Sequence, residues 1–178
     1  TNTLLRHSPR FAWLKHQIDT GGLGEVVHVQ ADYLYGRLPK LTHGWRGTRP
    51  DYSVTLGGTI HMVDLLLWLT GERPNYVKAI GSAKGTAGRF REDGTQFAGD
   101  SLRAGLLAFP SGMTAIVSAN FGSVGRHFHR LDVYGTDGTF LNLPTKPAEG
   151  QSAPGSVGLL LRGEDPGTAE EVSIPYPD

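Results

Sequence analysis

The stretch Asp100-Ser101-Leu102-Arg103-Ala104-Gly105-Leu106-Leu107-Ala108-Phe109-Pro110-Ser111-Gly112-Met113-Thr114-Ala115-Ile116-Val117-Ser118-Ala119-Asn120-Phe121 decides the fold class. Two strand-prone runs, Asp100 to Phe109 and Met113 to Phe121, are joined only by Pro110-Ser111-Gly112, whose turn formers predict a tight hairpin. The same reading extends outward. Tyr76 to Ala83 precedes this hairpin as a strand, and Gly85 to Gly99 is a polar excursion between strands, expected to be mobile. Downstream come His129 to Tyr134, a turn at Gly135-Thr136-Asp137-Gly138, a short strand after Gly138, and weaker candidates at Val157 to Arg162 and Glu171 to Ile174. Leu102, Ala104, Leu106 and Ala108, grouped with Ala115, Val117 and Ala119, are read as one partly apolar face. It suits either pairing with another subunit or packing under helices.

The first third of the chain mixes helix and strand. Ser8 is placed to cap a helix, Pro9 suits its first position, and Phe11, Leu14 and Ile18 form an i, i+3, i+7 stripe before Gly21-Gly22 stops it. From Glu25 to Tyr35, Val27, Val29, Ala31, Tyr33 and Tyr35 alternate with His28, Gln30, Asp32 and Leu34, which predicts a long strand with one apolar face. Periodicity vanishes from Gly36 to Leu56. A second helix then follows the paired glycines Gly57-Gly58, and Gly71 is placed to end it. Helix, strand, helix and then hairpin-joined strands give an α+β domain over residues 1–178. Its sheet is expected to be mainly antiparallel and open-faced, with helices packed on one face.

Composition narrows the function. The 17 basic and 17 acidic residues balance, so no basic field points to nucleic acid, and the absence of cysteine excludes disulfides, thiolate nucleophiles and zinc–thiolate sites. No apolar run reaches the roughly 20 residues that span a bilayer. A cytoplasmic location is the expectation. A Gly-x-Ser-x-Gly elbow is absent, which leaves a small hydrolase without an evident nucleophile.

The helix Ile60-His61-Met62-Val63-Asp64-Leu65-Leu66-Leu67-Trp68-Leu69-Thr70 carries the densest chemistry. Its 3.6-residue period puts His61, Asp64, Leu65 and Trp68 on one side, and the other positions are apolar nearly all round, as in a helix covered by protein. Asp64 beside His61 would orient the ring and favour the imidazolium, whereas burial would favour the neutral ring. The spacing fits a tuned proton shuttle, and it also fits an inert, satisfied polar pair, the plainer reading. In the irregular segment before it, Trp45 and Arg46 offer an indole face and a guanidinium fork for a polyhydroxylated or carboxylated substrate. The alternative is that Trp45 plugs the loop onto the core while Arg46 pairs with Asp51. His43 fits either arrangement. Arg6 and Tyr35 are candidates to face a cleft, with surface polarity and strand packing as the plainer readings. His127 and His129, two apart, would share a strand face and suit a metal, but no third ligand is evident, so no metal site is assigned.

Several of these segments together resemble one family. Arg6-His7-Ser8-Pro9-Arg10-Phe11 with Gly22-Leu23-Gly24-Glu25-Val26, Trp45-Arg46, Gly57-Gly58, His61-Met62-Val63-Asp64-Leu65, Phe109-Pro110-Ser111-Gly112 and Val133-Tyr134-Gly135-Thr136-Asp137-Gly138-Thr139 occur in the order found in the C-terminal domain of the Gfo/Idh/MocA oxidoreductases. These are relatives of glucose-fructose oxidoreductase and inositol dehydrogenase, and the resemblance covers most of residues 2–143. It implies a substrate-binding and oligomerisation domain that follows a Rossmann domain binding NAD or NADP, and a homo-oligomer formed through the open sheet face. Neither the Gly-x-Gly-x-x-Gly cradle nor the family's Glu-Lys-Pro lysine is present, and residues 145–178 stop short of the family's further helical sequence. The chain therefore reads as an excised domain that is not competent alone. The family's catalytic histidine maps onto His61 and a later aspartate onto Asp64. The aspartate that many members carry four residues before the histidine is replaced here by Gly57. The resemblance implies a sugar, inositol or related polyol as substrate. The alternative is a non-enzymatic dimerisation or ligand-binding module in which the His61–Asp64 pair is structural.

Overall fold

The computed structural model describes residues 4–125, 127–144, 156–162 and 170–172. Eight strands form one sheet: β1 (Val26–Leu34), β2 (Tyr76–Ser82), β3 (Leu102–Ala108), β4 (Thr114–Asn120), β5 (Phe128–Gly135), β6 (Gly138–Pro144), β7 (Ser156–Arg162) and β8 (Glu170–Val172). Their order is β2-β3-β4-β1-β5-β6-β7-β8. All neighbours are antiparallel except β1 and β4, which run parallel at the centre. A parallel pair needs a crossover. Here the chain between the two strands includes the helix that carries His61.

That helix, α4 (Ile60–Thr70), lies against β1 and β4, and α1 (Pro9–Asp19) packs against α4. Met62, Leu65, Leu66 and Leu69 of α4 are buried together with Phe11 and Leu14 of α1. They face Val29 and Ala31 of β1, Ala115, Val117 and Ala119 of β4, and Leu131 and Val133 of β5. Each such fully buried leucine contributes about 1.5–3 kcal/mol. Gly71 ends α4 with a φ of 69°, and its N–H donates to the carbonyl of Leu67, the left-handed cap that a glycine permits. Ser8 does occupy the N-cap position of α1, yet its side chain makes no capping hydrogen bond there.

The structure corrects three expectations. The hairpin at Pro110-Ser111-Gly112 pairs Leu107 with Ala115 and Leu106 with Ile116, so the two grouped sets of small residues lie on opposite faces. Ala115, Val117 and Ala119 pack under the helices, whereas Leu102, Ala104, Leu106 and Ala108 share the open face with Tyr76 and Ile80 of β2. The irregular segment contains two short helical turns, α2 (Pro39–Thr42) and α3 (Gly44–Gly47), and the helix preceding His61 starts earlier than expected, with a π-turn over Thr55–Thr59 that includes both glycines. Finally, the polar excursion between β2 and β3 is tied down. Phe97 and Thr86 are buried, the Glu92 N–H donates to the Thr42 carbonyl, and Arg91 donates to the Gly47 carbonyl while lying over the Phe97 ring.

The π-turn is packed as closely as backbone allows. A Cβ on Gly58 would stand 2.9 Å from Ala119 Cβ, 2.9 Å from Phe121 Cε1 and 3.0 Å from Tyr33 Cδ1. Overpacking at such a site costs about 1–3 kcal/mol. Gly58→Ala is therefore expected to lower the unfolding free energy by about that amount in urea titrations. Gly105→Ala, whose Cβ would meet nothing nearer than 3.7 Å, should not lower it.

Candidate active site

At one end of the sheet, side chains from four segments converge. Tyr33 near the end of β1 is paired in register with Ala119 of β4 and with His129 of β5, so its ring and the His129 side chain share the helix-covered face. His61, one residue into α4, stacks on Tyr33 with ring centroids 5.5 Å apart and planes at 23°. His127 and His129 approach the same ring at 5.0 and 4.9 Å, and each other at 4.4 Å. Together with Leu4 and Leu5 these four rings line a cavity of about 210 Å³. Tyr33 is thus the floor of the site, and three imidazoles stand around it.

Burial sets the protonation states. His61 is pushed below its ordinary pKa of 6.5, first by burial, with the Asp64 charge pulling weakly the other way. Of the two opposed effects the spacing foresaw, burial wins. His127 is also lowered, by burial and then by the positive charges of Arg37 and Lys40. His129 is lowered to about 3, mainly by burial and then by His127 and His61. Burial raises Tyr33 to about 12. At neutral pH the site therefore presents neutral imidazoles and a protonated phenol, and the neutral His61 ring is able to accept a proton.

Asp64 does not hydrogen-bond His61 among the described residues. Both its carboxylate oxygens are taken by Arg6, with Nε donating at 2.7 Å and the second guanidinium nitrogen forming the other half of a bidentate pair. Arg6, on the Leu4–His7 turn, thereby clamps that turn onto α4 beside the cavity. Trp45 is 66% exposed, so it does not plug the loop onto the core. Arg46 lies over Trp45 at 4.3 Å and over Tyr52 at 5.9 Å, while Asp51 pairs with Arg49 instead. His43 is exposed, and its Nδ1 shares a hydrogen bond of 2.7 Å with the Thr42 hydroxyl. Tyr35 is buried, with its ring 4.7 Å from that of His127.

The position of Gly57 is already occupied by another group. A Cβ there would fall 2.2 Å from the Tyr52 hydroxyl and 3.0 Å from Phe121 Cζ, so the phenol of Tyr52 fills the space where an aspartate side chain would begin. Sequence reading missed Tyr33 and Tyr52 as parts of the site. Tyr33 lay in the alternation of β1 and Tyr52 five residues before Gly57, and only the register and the π-turn bring the first beneath His61 and the second against Gly57. Among the described residues no group of three metal-ligating side chains forms, and His127 and His129 face Tyr33.

A sequence model of the GFO/IDH/MocA C-terminal domain matches residues 11–141. The chain belongs to this family. Solved structures with the same fold include a levoglucosan dehydrogenase in complex with NADH and levoglucosan, at TM-score 0.75 and 18% identity, covering 98% of this chain and 46% of that one. Others are the aldose-aldose oxidoreductase of Caulobacter crescentus (TM-score 0.68, 22% identity, 97% and 47% covered) and the UDP-N-acetylglucosamine 3-dehydrogenase of Acidithiobacillus ferrooxidans (TM-score 0.67, 20% identity, 99% and 47% covered). The Gfo/Idh/MocA chain described here spans about half the length of the solved structures it matches. No curated protein sequence matches it significantly. No helix among the described residues is long and apolar enough to cross a membrane, which says nothing of a β-barrel.

The burial of His129 has a consequence for pH. Its folded pKa of about 3 lies below the ordinary 6.5, so unfolding takes up a proton between those values. The stability gained by keeping the ring neutral is complete above pH 6.5 and is lost as pH falls toward 3. His129→Gln should make the fall of unfolding free energy between pH 6 and pH 4 shallower, by up to about 1.4 kcal/mol per pH unit. Urea titrations at several pH values read this directly, and an unchanged slope would mean that His129 is not the proton acceptor.

Proposed function

We propose that this domain is the substrate-binding half of a nicotinamide-dependent oxidoreductase acting on a sugar, inositol or related polyol, with His61 as the residue that exchanges the hydroxyl proton. The observation that carries the reading is the neutral His61 imidazole, half-buried on Tyr33 in a cavity of about 210 Å³. Membership of the family supports the reaction class. Oxidation of a secondary alcohol removes a hydride from carbon and a proton from oxygen. NAD or NADP, held by a Rossmann domain outside this chain, supplies the hydride acceptor. His61 takes the proton, and burial keeps its ring unprotonated for that purpose. Asp64, held by Arg6, fixes α4 against the N-terminal turn rather than orienting the ring directly. In this reading Trp45, Arg46, His43 and Tyr35 contribute to the substrate cleft, and the exposure of the Trp45 indole supports a role as its apolar edge.

The same reading gives the open sheet face a use. Tyr76, Ile80 and Leu106 are 59%, 69% and 55% exposed on adjacent strands, an apolar patch at the β2–β3 edge that fits contact with a second copy of the chain.

The protein joined to its native upstream sequence, assayed by nicotinamide absorbance against a panel of polyols and aldoses, is expected to turn over at least one of them. His61→Ala should reduce kcat by about 10²–10⁴-fold. Absence of turnover on the whole panel, or full activity in the alanine variant, would overturn the assignment. Sedimentation is expected to show an oligomer that Leu106→Glu dissociates.

A further inference from the structure

Positive charge that the described residues do not neutralise acts on His127, which lines the cavity. Arg37 places its guanidinium carbon 5.2 Å above the Tyr35 ring and Lys40 its ammonium 4.9 Å from the same ring, and Tyr35 meets His127 edge-on at 4.7 Å. Both cations are thus one ring away from the imidazole pair. Arg46 lies on the other flank, over Trp45 and Tyr52. The described residues form five ion pairs, and none of them includes Arg37, Lys40 or Arg46. Among the described residues, Asp64 is the carboxylate that acts on His61, and it is matched by Arg6. At Gly57, three positions before Ile60 opens the helix, the space a side chain would enter is closed off by Tyr52, so this position brings no carboxylate.

A neutral polyol gains little from such surroundings, because a hydroxyl is served equally by acidic and basic partners. An anion gains from every part of them. Arginine and lysine supply charge, neutral imidazoles supply N–H donors without charge of their own, and the absence of an unmatched carboxylate removes the repulsion that would reject an acid.

We propose that the substrate is an acidic sugar or polyol, bearing a carboxylate or a phosphate, whose anionic group is received by Arg37, Lys40 and the His127–His129 pair while its reacting hydroxyl meets His61. The proposal rests on the polyol oxidoreductase reading and specifies its substrate class. Arg37 and Lys40 are binding residues in it, and His127 and His129 complete the anion seat.

The test uses the full-length protein with its nicotinamide. Calorimetric titrations with glucuronate, glucose 6-phosphate, glucose, myo-inositol and inorganic phosphate compare the charged and neutral ligands. At least one acidic sugar is expected to bind about tenfold or more tightly than glucose, as a charge-assisted hydrogen bond requires. Glucuronate and glucose 6-phosphate separate the carboxylate from the phosphate, and inorganic phosphate alone should bind more weakly than the preferred acidic sugar. The R37Q/K40Q double variant should lose at least tenfold more affinity for the acidic sugar than for glucose. In the wild type, imidazole resonances assigned through the H127Q and H129Q variants should move when the acidic sugar is added. Glucose binding as tightly as both acids, or equal losses for charged and neutral ligands in the double variant, would overturn the proposal and leave the polyol reading standing. Failure of every sugar to bind or turn over would overturn both.

Discussion

Everything at this site depends on a place where no Cβ fits. Gly57 and Gly58 bring a turn of backbone against Tyr33, Ala119 and Phe121, with Tyr52 closing the other side. That contact fixes how near α4 approaches the centre of the sheet, and so it fixes the stacking of His61 on Tyr33. A side chain at position 58 would lift the helix start by the thickness of a methyl group. The ring of His61 would then lose its apolar floor, and with it the burial that keeps it neutral. Packing and acid–base chemistry are therefore one constraint here.

The electrostatics follow from the same placement. His61 sits near two opposing influences, a carboxylate three residues on and an apolar floor beneath, and burial outweighs the carboxylate. Arg6 is the reason the carboxylate is weak: it occupies both oxygens of Asp64, so the charge that would otherwise hold an imidazolium is spent on a guanidinium. Burial drives all three rings the same way, with the positive charges of Arg37 and Lys40 adding to it at His127. At Gly57 backbone lies against the phenol of Tyr52, and among the described residues the charges of Arg37 and Lys40 that act on His127 are basic.

Much of the fold was legible. The eight predicted strands are all present, with boundaries within a few residues, because alternation and turn chemistry are local. His61 was legible because a titratable residue in an apolar helix stands out. What local pattern does not carry is register. The three-residue turn Pro110-Ser111-Gly112 leaves both hairpin strands apolar on paper, and only the pairing of Leu107 with Ala115 shows that Leu106 and Ala115 face opposite ways. The partner of Asp64 was hidden for a related reason: Arg6 lies 58 positions away in sequence, and nothing in the spacing of either residue points to the other. Helical turns at Pro39–Thr42 and Gly44–Gly47 were missed because four residues are too few to show a period.

Register also divides the labour of the sheet. Along β1, Val29, Ala31 and Tyr33 point to the helices and end at the site, while Gln30 and Asp32 point to the open face, where Asp32 accepts hydrogen bonds from Gln30 and from Ser118 of β4. A slip of one residue would move Tyr33 out from under His61 and carry the Asp32 carboxylate into the core, a cost far larger than any gain in pairing. Two neighbours hold β1 against that slip, β4 in parallel and β5 antiparallel, and both supply site residues or their supports: Ala119 beneath the glycine turn and His129 beside Tyr33. The alternation that builds the core is thus the same alternation that assembles the ring cluster. The ring cluster on one face and the apolar patch on the other can change independently only while that register is kept.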